Sequence, residues 1–566
     1  MLRVPRLYNY LFFIIIIVNA SAMFIPLLRN DDSVLYANIV KHMLEANDWI
    51  NLFSSGHDWL DKPHFPFWIS AISFKLLGTN SFAYMLPGFV FHLIGAYYTY
   101  RLARHLYSHE CGVLAALIYL SSLHLLLSSI DVRAEAYLLG TIMAASYYWL
   151  LYDKDFAFKP LVLGSVFTAL ALMTKGPFVA VTIFSGLVFS WAYTGRLARV
   201  INWRWLLAYA LCLLLIVPEL LCLYLQFDAH PEKLVFGQHG VSGLAWFFWG
   251  SQFGRFFNQG PIVNHHGNPW FFMHTYLWAF LPWSLLFIAA LLKVRRVWSI
   301  QKPAQRTRMV YLLSSFWVTF IMFSATSFQL DHYTNIIMPF AAILCATYLC
   351  SNEDLSKIIL VQRILSLLLL VSSAGLIVFF FHHHLLCLYV IVPGLIVLSI
   401  SREIYFTYRK PVSGAKYSPI LLQRECVNWS VLSIASLFSV LMLINYVIYS
   451  PYDVGYNLAN FINSQEKAPV YDYKVGWSPL EFHLKYPYTS INSLDNLPVQ
   501  EKYYLVLPLN SLQDLTQNSS TQIIRKFCGN TIDIVLNKIS NPQLKESQQV
   551  CYLVLLHQPK YGIIHD

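Results

Sequence analysis

The sequence predicts an all-α polytopic membrane protein that carries a small α/β domain at its C-terminal end. Three observations predict it. Hydrophobic residues make up 57% of the 566 and charged residues only 12%, about half the usual quarter. Apolar runs close to the roughly 20 residues that cross a hydrocarbon core follow one another as far as residue 448. The remainder, Tyr449 to Asp566, is polar and has no such run. A soluble surface on so long a chain needs more charge, so a series of soluble domains is excluded. A disordered chain, a disulfide scaffold and a collagen-like fibre are excluded as well.

Taken in order, about thirteen spans are expected. They are Tyr8–Leu28, Phe82–Leu102, Cys111–Ser128, Ala136–Leu151, Pro160–Met173, Pro177–Tyr193, Trp205–Leu225 and Trp270–Leu292, then Val310–Ser324, Tyr333–Leu349, Ile358–Phe381, Leu385–Ile400 and Trp429–Ile448. The first has a basic front and an Ala20-Ser21-Ala22 sequence that resembles a signal-peptidase site. Its apolar stretch is long for a signal peptide, which favours an uncleaved span. Two connections are long, residues 29–81 and 226–269, and long ordered loops tend to carry function.

The 39 basic and 29 acidic side chains leave a net charge of +10. Lys and Arg crowd one alternating set of connections, such as Arg3, Arg6, Arg101, Arg104, Arg295, Arg296, Arg409 and Lys410. Such connections stay in the cytoplasm. The N-terminus is then cytoplasmic, and the tail of residues 449–566 lies outside with the two long loops. The charge describes how the chain sits in the membrane, and it calls for no nucleic-acid partner.

In the tail, Tyr503–Leu507, Ile532–Leu536 and Tyr552–Leu556 read as buried strands, and Asn518-Ser519-Ser520 as a turn. Cys528 and Cys551 are its only cysteines. They either pair in an oxidising compartment or remain buried thiols.

Transporters and channels place functional charges within spans, near the midplane. Here the unusual polar residues collect at the outer ends. In the first loop, Val34, Ile39, Val40, Met43 and Leu44 suit a short interfacial helix with Asp31 or Asp32 at its start. Either aspartate is a natural N-cap.

The series Asp32, Tyr36, Met43, Asp48-Trp49, Asp61-Lys62-Pro63 and Trp68 resembles the first outer loop of the GT-C glycosyltransferases. The nearest branches are the protein O-mannosyltransferase-like enzymes and the bacterial lipid A aminoarabinose transferases. The resemblance implies a GT-C fold in residues 1–448, a soluble extracytoplasmic domain in 449–566, and a bacterial inner-membrane location. It implies an inverting transfer of sugar from a polyprenyl-phosphate carrier to a lipid A-like, glycan or protein acceptor. Asp32 then resembles the catalytic carboxylate, and Lys62 the cation facing the carrier phosphate. Asp61 stands where the aminoarabinose transferases have glutamate, near an acceptor or a divalent ion. Leu35 stands where they have arginine.

Further along, Asp131-Val132-Arg133-Ala134-Glu135 offers two candidates for the family's second acid. Glu135 fits the spacing from Asp61, and Asp131 is the alternative. Both also suit a local Asp–Arg–Glu cap. Lys175-Gly176-Pro177 resembles the family's Lys-Gly turn, where the lysine either meets a phosphate or snorkels toward headgroups. Arg255 suits bidentate phosphate binding. His266, with His265 adjacent, resembles the family's His-x-x-Pro element, and with outer carboxylates it suggests a divalent cation as a possible cofactor, though no regular ligand spacing supports one. Asp331-His332-Tyr333 resembles the motif before a late span. The aromatics Trp246, Phe247, Phe248, Trp249, Trp270, Phe271 and Phe272 either line a groove for the lipid or form an interfacial belt. A polysaccharide polymerase or ligase, or a lipid-linked sugar flippase, would share the membrane setting. The first would use arginine-led chemistry, and the second would show inverted repeats or broken charged helices.

Overall fold

A computed structural model of the chain describes residues 6–27, 32–54, 56–264, 267–351, 355–381, 419–450, 453–476, 478–498, 501–515, 521–529 and 550–557. The chain divides into two compact units. One comprises Met1–Phe24, Leu60–Ser73 and Ala83–Met442, and the other Ile25–Trp59, Phe74–Phe82 and Leu443–Asp566. The expected outer loop 29–81 is therefore shared between them. Much of it groups with the C-terminal residues rather than with the helices.

The larger unit is helical. Its described elements are α1 (Arg6–Ser21), most of α3 (Phe65–Leu77) and α4 (Ser81–Leu106), then α5 (His109–Leu120), α6 (Leu123–Ser128), α7 (Ala134–Asp155), α8 (Phe158–Lys175) and α9 (Val179–Tyr193). After these come α10 (Trp203–Leu215), α11 (Val217–Leu223), α12 (Ser251–Phe257), α13 (Phe271–Ala279), α14 (Ser284–Val297) and α15 (Pro303–Ala325). The last three are α16 (Met338–Leu349), α17 (Ser356–Phe381) and α18 (Pro419–Ile444). Helix α7 packs on α8, α9 on α15, and α5 on α16. Trp149, Trp205 and Trp283 are fully buried among them. Trp149 and Trp205 meet at 5.4 Å between ring centroids, and the Trp149 indole N–H donates to Thr168 Oγ1 at 2.8 Å. That hydrogen bond offsets the cost of taking the indole N–H out of water.

By length and composition, four helices among the described residues can cross a membrane: Phe158–Lys175, Pro303–Ala325, Ser356–Phe381 and Glu425–Val447. The number rises to six if each of two bent pairs counts as one span. Several expected spans are broken. Cys111–Ser128 divides at Ser121-Ser122, where the Leu123 N–H bonds to the Leu281 carbonyl at 2.9 Å. Trp205–Leu225 bends by 41° just before Pro218, and Trp270–Leu292 turns by 116° between α13 and α14. Proline supplies no amide to the helix ladder, which accounts for the first bend. The expected span Leu385–Ile400 lies outside the described residues.

The smaller unit opens with α2 (Asp32–Glu45) and the two-residue strands β1 (Phe53–Ser54) and β2 (His57–Asp58). It continues with α19 (Val454–Asn463), β3 (Val470–Tyr473), α20 (Ser478–His483), β4 (Tyr488–Ile491), β5 (Tyr503–Pro508), β6 (Thr521–Gly529) and β7 (Val550–His557). Its five-stranded sheet runs β4-β3-β5-β7-β6. β3 is parallel to both its neighbours, while β7 is antiparallel to β5 and β6. Alternate β5 side chains feed two cores. Tyr504 and Val506 meet Leu458 and Ile462 of α19, and Tyr503, Leu505 and Leu507 pack on the other face. Period-two alternation demands this division. Cys528 and Cys551 face each other across β6 and β7 and form a disulfide. The expected strand Ile532–Leu536 and the turn at Asn518 lie outside the described residues. β6 is a strand with no counterpart in the sequence reading.

Candidate active site

Within the larger unit, the start of α7, the ends of α8 and α12, and the Asp61–Lys62 segment bring the expected cations and acids together. Helix α8 ends at Lys175 because Gly176 takes φ +88°, a conformation open to glycine at little cost. The Gln252 side chain of α12 fills the space beside that turn. Its Nε2 donates to the Lys175 carbonyl at 3.2 Å, and its Oε1 accepts from the Phe178 N–H at 3.4 Å. Arg255 lies one turn further along α12.

Arg255 donates to Asp61 Oδ1, and Lys62 to Asp61 Oδ2. One carboxylate thus holds two cations, each with a mostly buried side chain. The second pairing is between Lys175 and Glu135 Oε1. Glu135 is only 2% exposed, and its other oxygen lies 3.7 Å from His332 Nε2. The Lys175 ammonium also sits 3.9 Å above the Tyr333 ring, a cation–π placement. Asp131 instead pairs with Arg133, Oδ2 to Nη2 at 3.1 Å. The Asp131–Arg133 part of the expected Asp–Arg–Glu cluster is present, while of the two acids Glu135 is the one bonded to Lys175.

Lys175 and Arg255 line one cleft together with Gln252, Thr182 and Tyr333. The rest of its wall is mainly apolar: Phe178, Val179, Phe256, Met322, Phe323, Phe328 and Ile336. It encloses about 580 Å³ of space, its open mouth included. None of the seven aromatics named from the sequence lines it. Phe247 and Phe272 are instead buried in packing, and Trp249 and Trp270 are exposed.

In the smaller unit Asp32 opens α2 and is partly buried. Tyr36, one turn later, is buried edge-on against Trp59, with centroids 5.7 Å apart. The Lys41 ammonium donates to the carbonyls of Glu481 and Leu484, both at 2.8 Å. Asn38 Nδ2 donates to the Ser478 carbonyl at 2.9 Å. His42 Nε2 lies 2.7 Å from Glu481 Oε1. The helix carrying Asp32 is therefore fastened to α20 along one face. Asp48, part of the motif series, accepts the Ile50 and Asn51 N–H groups at 2.9 and 3.0 Å and shapes a turn.

His265 and His266 lie outside the described residues. Among those described, no group of three His, Cys, Asp or Glu side chains is placed to hold a metal ion.

Residues 61–221 match the family described as dolichyl-phosphate-mannose-protein mannosyltransferase. That stretch holds Asp61, Lys62, Asp131, Glu135 and Lys175. An undecaprenyl phosphate-α-4-amino-4-deoxy-L-arabinose arabinosyl transferase from Edwardsiella ictaluri is 27% identical over 328 residues, 57% of this chain and 55% of that protein. Its namesake from Shewanella sediminis is 24% identical over 72% of this chain and 68% of its own length. The chain thus spans about half the length of the first of these relatives. The crystal structure of ArnT from Cupriavidus metallidurans bound to undecaprenyl phosphate superposes with a TM-score of 0.72, at 16% identity, covering 96% of this chain and 97% of that one. The same protein in its apo state gives 0.69. The chain has the GT-C glycosyltransferase fold.

Within this GT-C fold, Gln252, His124 and Glu219 escape sequence reasoning. Gln252 is an amide in an aromatic-rich stretch and carries no motif. Asp331 lies between His332 Nδ1 at 3.2 Å and His124 Nε2 at 3.8 Å, and these two histidines hold its carboxyl well below the usual range. His124 and its partner Asn335, 2.6 Å away, are 211 residues apart, a pairing that spacing along the chain cannot reveal. Glu219, within the bent α10–α11 pair, binds His64.

Proposed function

We propose that this protein moves a sugar, with inversion, from a polyprenyl-phosphate carrier to a lipid A-like acceptor at the outer face of a bacterial inner membrane. The amphipathic cleft carries this reading. Lys175 and Arg255 stand at a cleft whose remaining wall is mostly aromatic and aliphatic, matching a phosphate joined to a long hydrocarbon. The likeness to aminoarabinose transferases supports the same donor class. On this reading the chain crosses the membrane about thirteen times, as its apolar runs suggest. The N-terminus is cytoplasmic and the α/β unit extracytoplasmic.

The bond between the anomeric carbon and the carrier phosphate oxygen breaks, and the acceptor oxygen bonds that carbon from the opposite side. The phosphate leaves as an anion. Arg255, Lys175 and Lys62 stabilise it, since fixed cations in a water-poor site act strongly on developing charge. Asp61 and Glu135 keep those cations ordered. Asp32 takes the proton of an attacking hydroxyl, a contribution of about 10²–10⁴-fold. A phosphate acceptor is already ionised, and Asp32 then orients it.

The test is direct. Purified full-length protein is given undecaprenyl-phosphate-linked 4-amino-4-deoxy-L-arabinose and lipid A, and the products are read by mass spectrometry. Lipid A should gain the mass of one sugar as undecaprenyl phosphate is released. An intact donor with this acceptor and with glycan and protein acceptors would overturn the proposal.

A further inference from the structure

Glu219 has no exposed surface, although it lies inside an apolar stretch, Trp203–Asp228, that bends by 41° just before α11. A carboxylate in such a place is costly, persists only when well bonded, and by default points to function. Both its oxygens bond to the same residue. Oε2 accepts the His64 backbone N–H at 2.9 Å, and Oε1 lies 3.0 Å from His64 Nδ1. His64 is likewise fully buried.

Gripping one residue by main chain and ring together removes its freedom to rotate. His64 is also the residue from which α3 begins. Its carbonyl accepts the Phe67 and Trp68 N–H groups at 2.9 and 3.0 Å, and its ring lies 5.4 Å from that of Trp68. Pro63 stands directly before it, with a fixed φ and no amide hydrogen. Lys62 and Asp61 are therefore joined to an immobilised residue through a stiff one. A first set of charged side chains is only as accurate as the groups that hold it.

We propose that Glu219, acting through His64, is a positioning residue that sets the Asp61–Lys62 segment for the carrier phosphate. This rests on the proposed function. Glu219 touches no reacting atom. It limits where the Lys62 ammonium and the shared Asp61 carboxylate can lie. Glutamine at 219 keeps the shape but loses the charge and has one acceptor oxygen in place of two, so it can no longer accept from the His64 backbone and ring at once.

The test uses full-length protein in lipid nanodiscs, with undecaprenyl phosphate as the probe. Its Kd and the thermal midpoint are measured for wild type, Glu219→Gln, Lys62→Ala and the double variant. Glu219→Gln should weaken binding about tenfold alone and add almost nothing to Lys62→Ala, the signature of residues acting as one unit. A purely structural role would move the thermal midpoint and leave the two losses additive. His64→Asn, which keeps the backbone bond to Glu219, should repeat the pattern at smaller size and serves if Glu219→Gln folds poorly. Wild-type binding with Glu219→Gln unchanged, or with additive losses, overturns this inference alone. Wild-type protein that bound no undecaprenyl phosphate would overturn the proposed function along with it.

Discussion

Gln252 occupies the space that a side chain at Gly176 would need: a methyl group there would stand 2.4 Å from its Nε2. The amide reads the Lys175-Gly176-Pro177 turn from both sides, and the same helix presents Arg255 to the cleft. The turn and the arginine are therefore one mechanical unit.

Gly176→Ala should be costly for two reasons, the positive φ and the clash. Strain and overpacking together should remove about 2–4 kcal/mol of stability. Thermal unfolding of the purified protein checks this. Gln252→Ala relieves the clash, so the double variant should regain part of the loss.

Arg255→Ala should weaken undecaprenyl phosphate binding by about 10–100-fold, or roughly 1.4–2.8 kcal/mol. Arg255→Lys keeps the charge and loses the planar fork, so it should fall between. Titration of the lipid into protein in nanodiscs gives the ranking. Equal affinities for all three would remove Arg255 from the phosphate site.

Helical class, the Asp61–Lys62 segment, Lys175 and Arg255 are legible in the sequence because each is a local property. Hydropathy runs reveal helices, and motif spacing reveals short segments. The breaks at Ser121-Ser122 and between α13 and α14 are missed because an average over hydropathy outweighs the single signals there, two serines in the first and Pro282 in the second. Glu219–His64 and His124–Asn335 are hidden for another reason: each joins residues far apart in the chain. The grouping of Ile25–Trp59 with the C-terminal residues depends on Asn38 and Lys41 meeting Ser478, Glu481 and Leu484. No pattern within the loop announces that.

The bond between His42 and Glu481 makes the smaller unit sensitive to pH. Burial lowers the His42 pKa, but the Glu481 hydrogen bond and the charges of Glu481 and Glu45 outweigh it, so the folded value is raised. A raised histidine stabilises the fold fully below its unfolded value near 6.5, and the contribution is lost as pH climbs through the folded value. Thermal midpoints measured from pH 5.5 to 8.5 should fall across the upper part of that range. His42→Gln should flatten the slope.

The Cys528–Cys551 disulfide closes a loop of sequence separation 23. Cross-linking a loop of this size stabilises by about 3 kcal/mol in the chain-entropy account. Cys528→Ser with Cys551→Ser should lower the unfolding midpoint of the smaller unit. Limited proteolysis should then cut residues 521–557 faster than in the wild type.

The most direct measurement compares Asp32→Asn with wild type in one preparation, reading both sugar transfer and undecaprenyl phosphate affinity. The proposed mechanism predicts that turnover falls by at least about 10²-fold while the affinity stays within twofold. Full turnover in Asp32→Asn would contradict it.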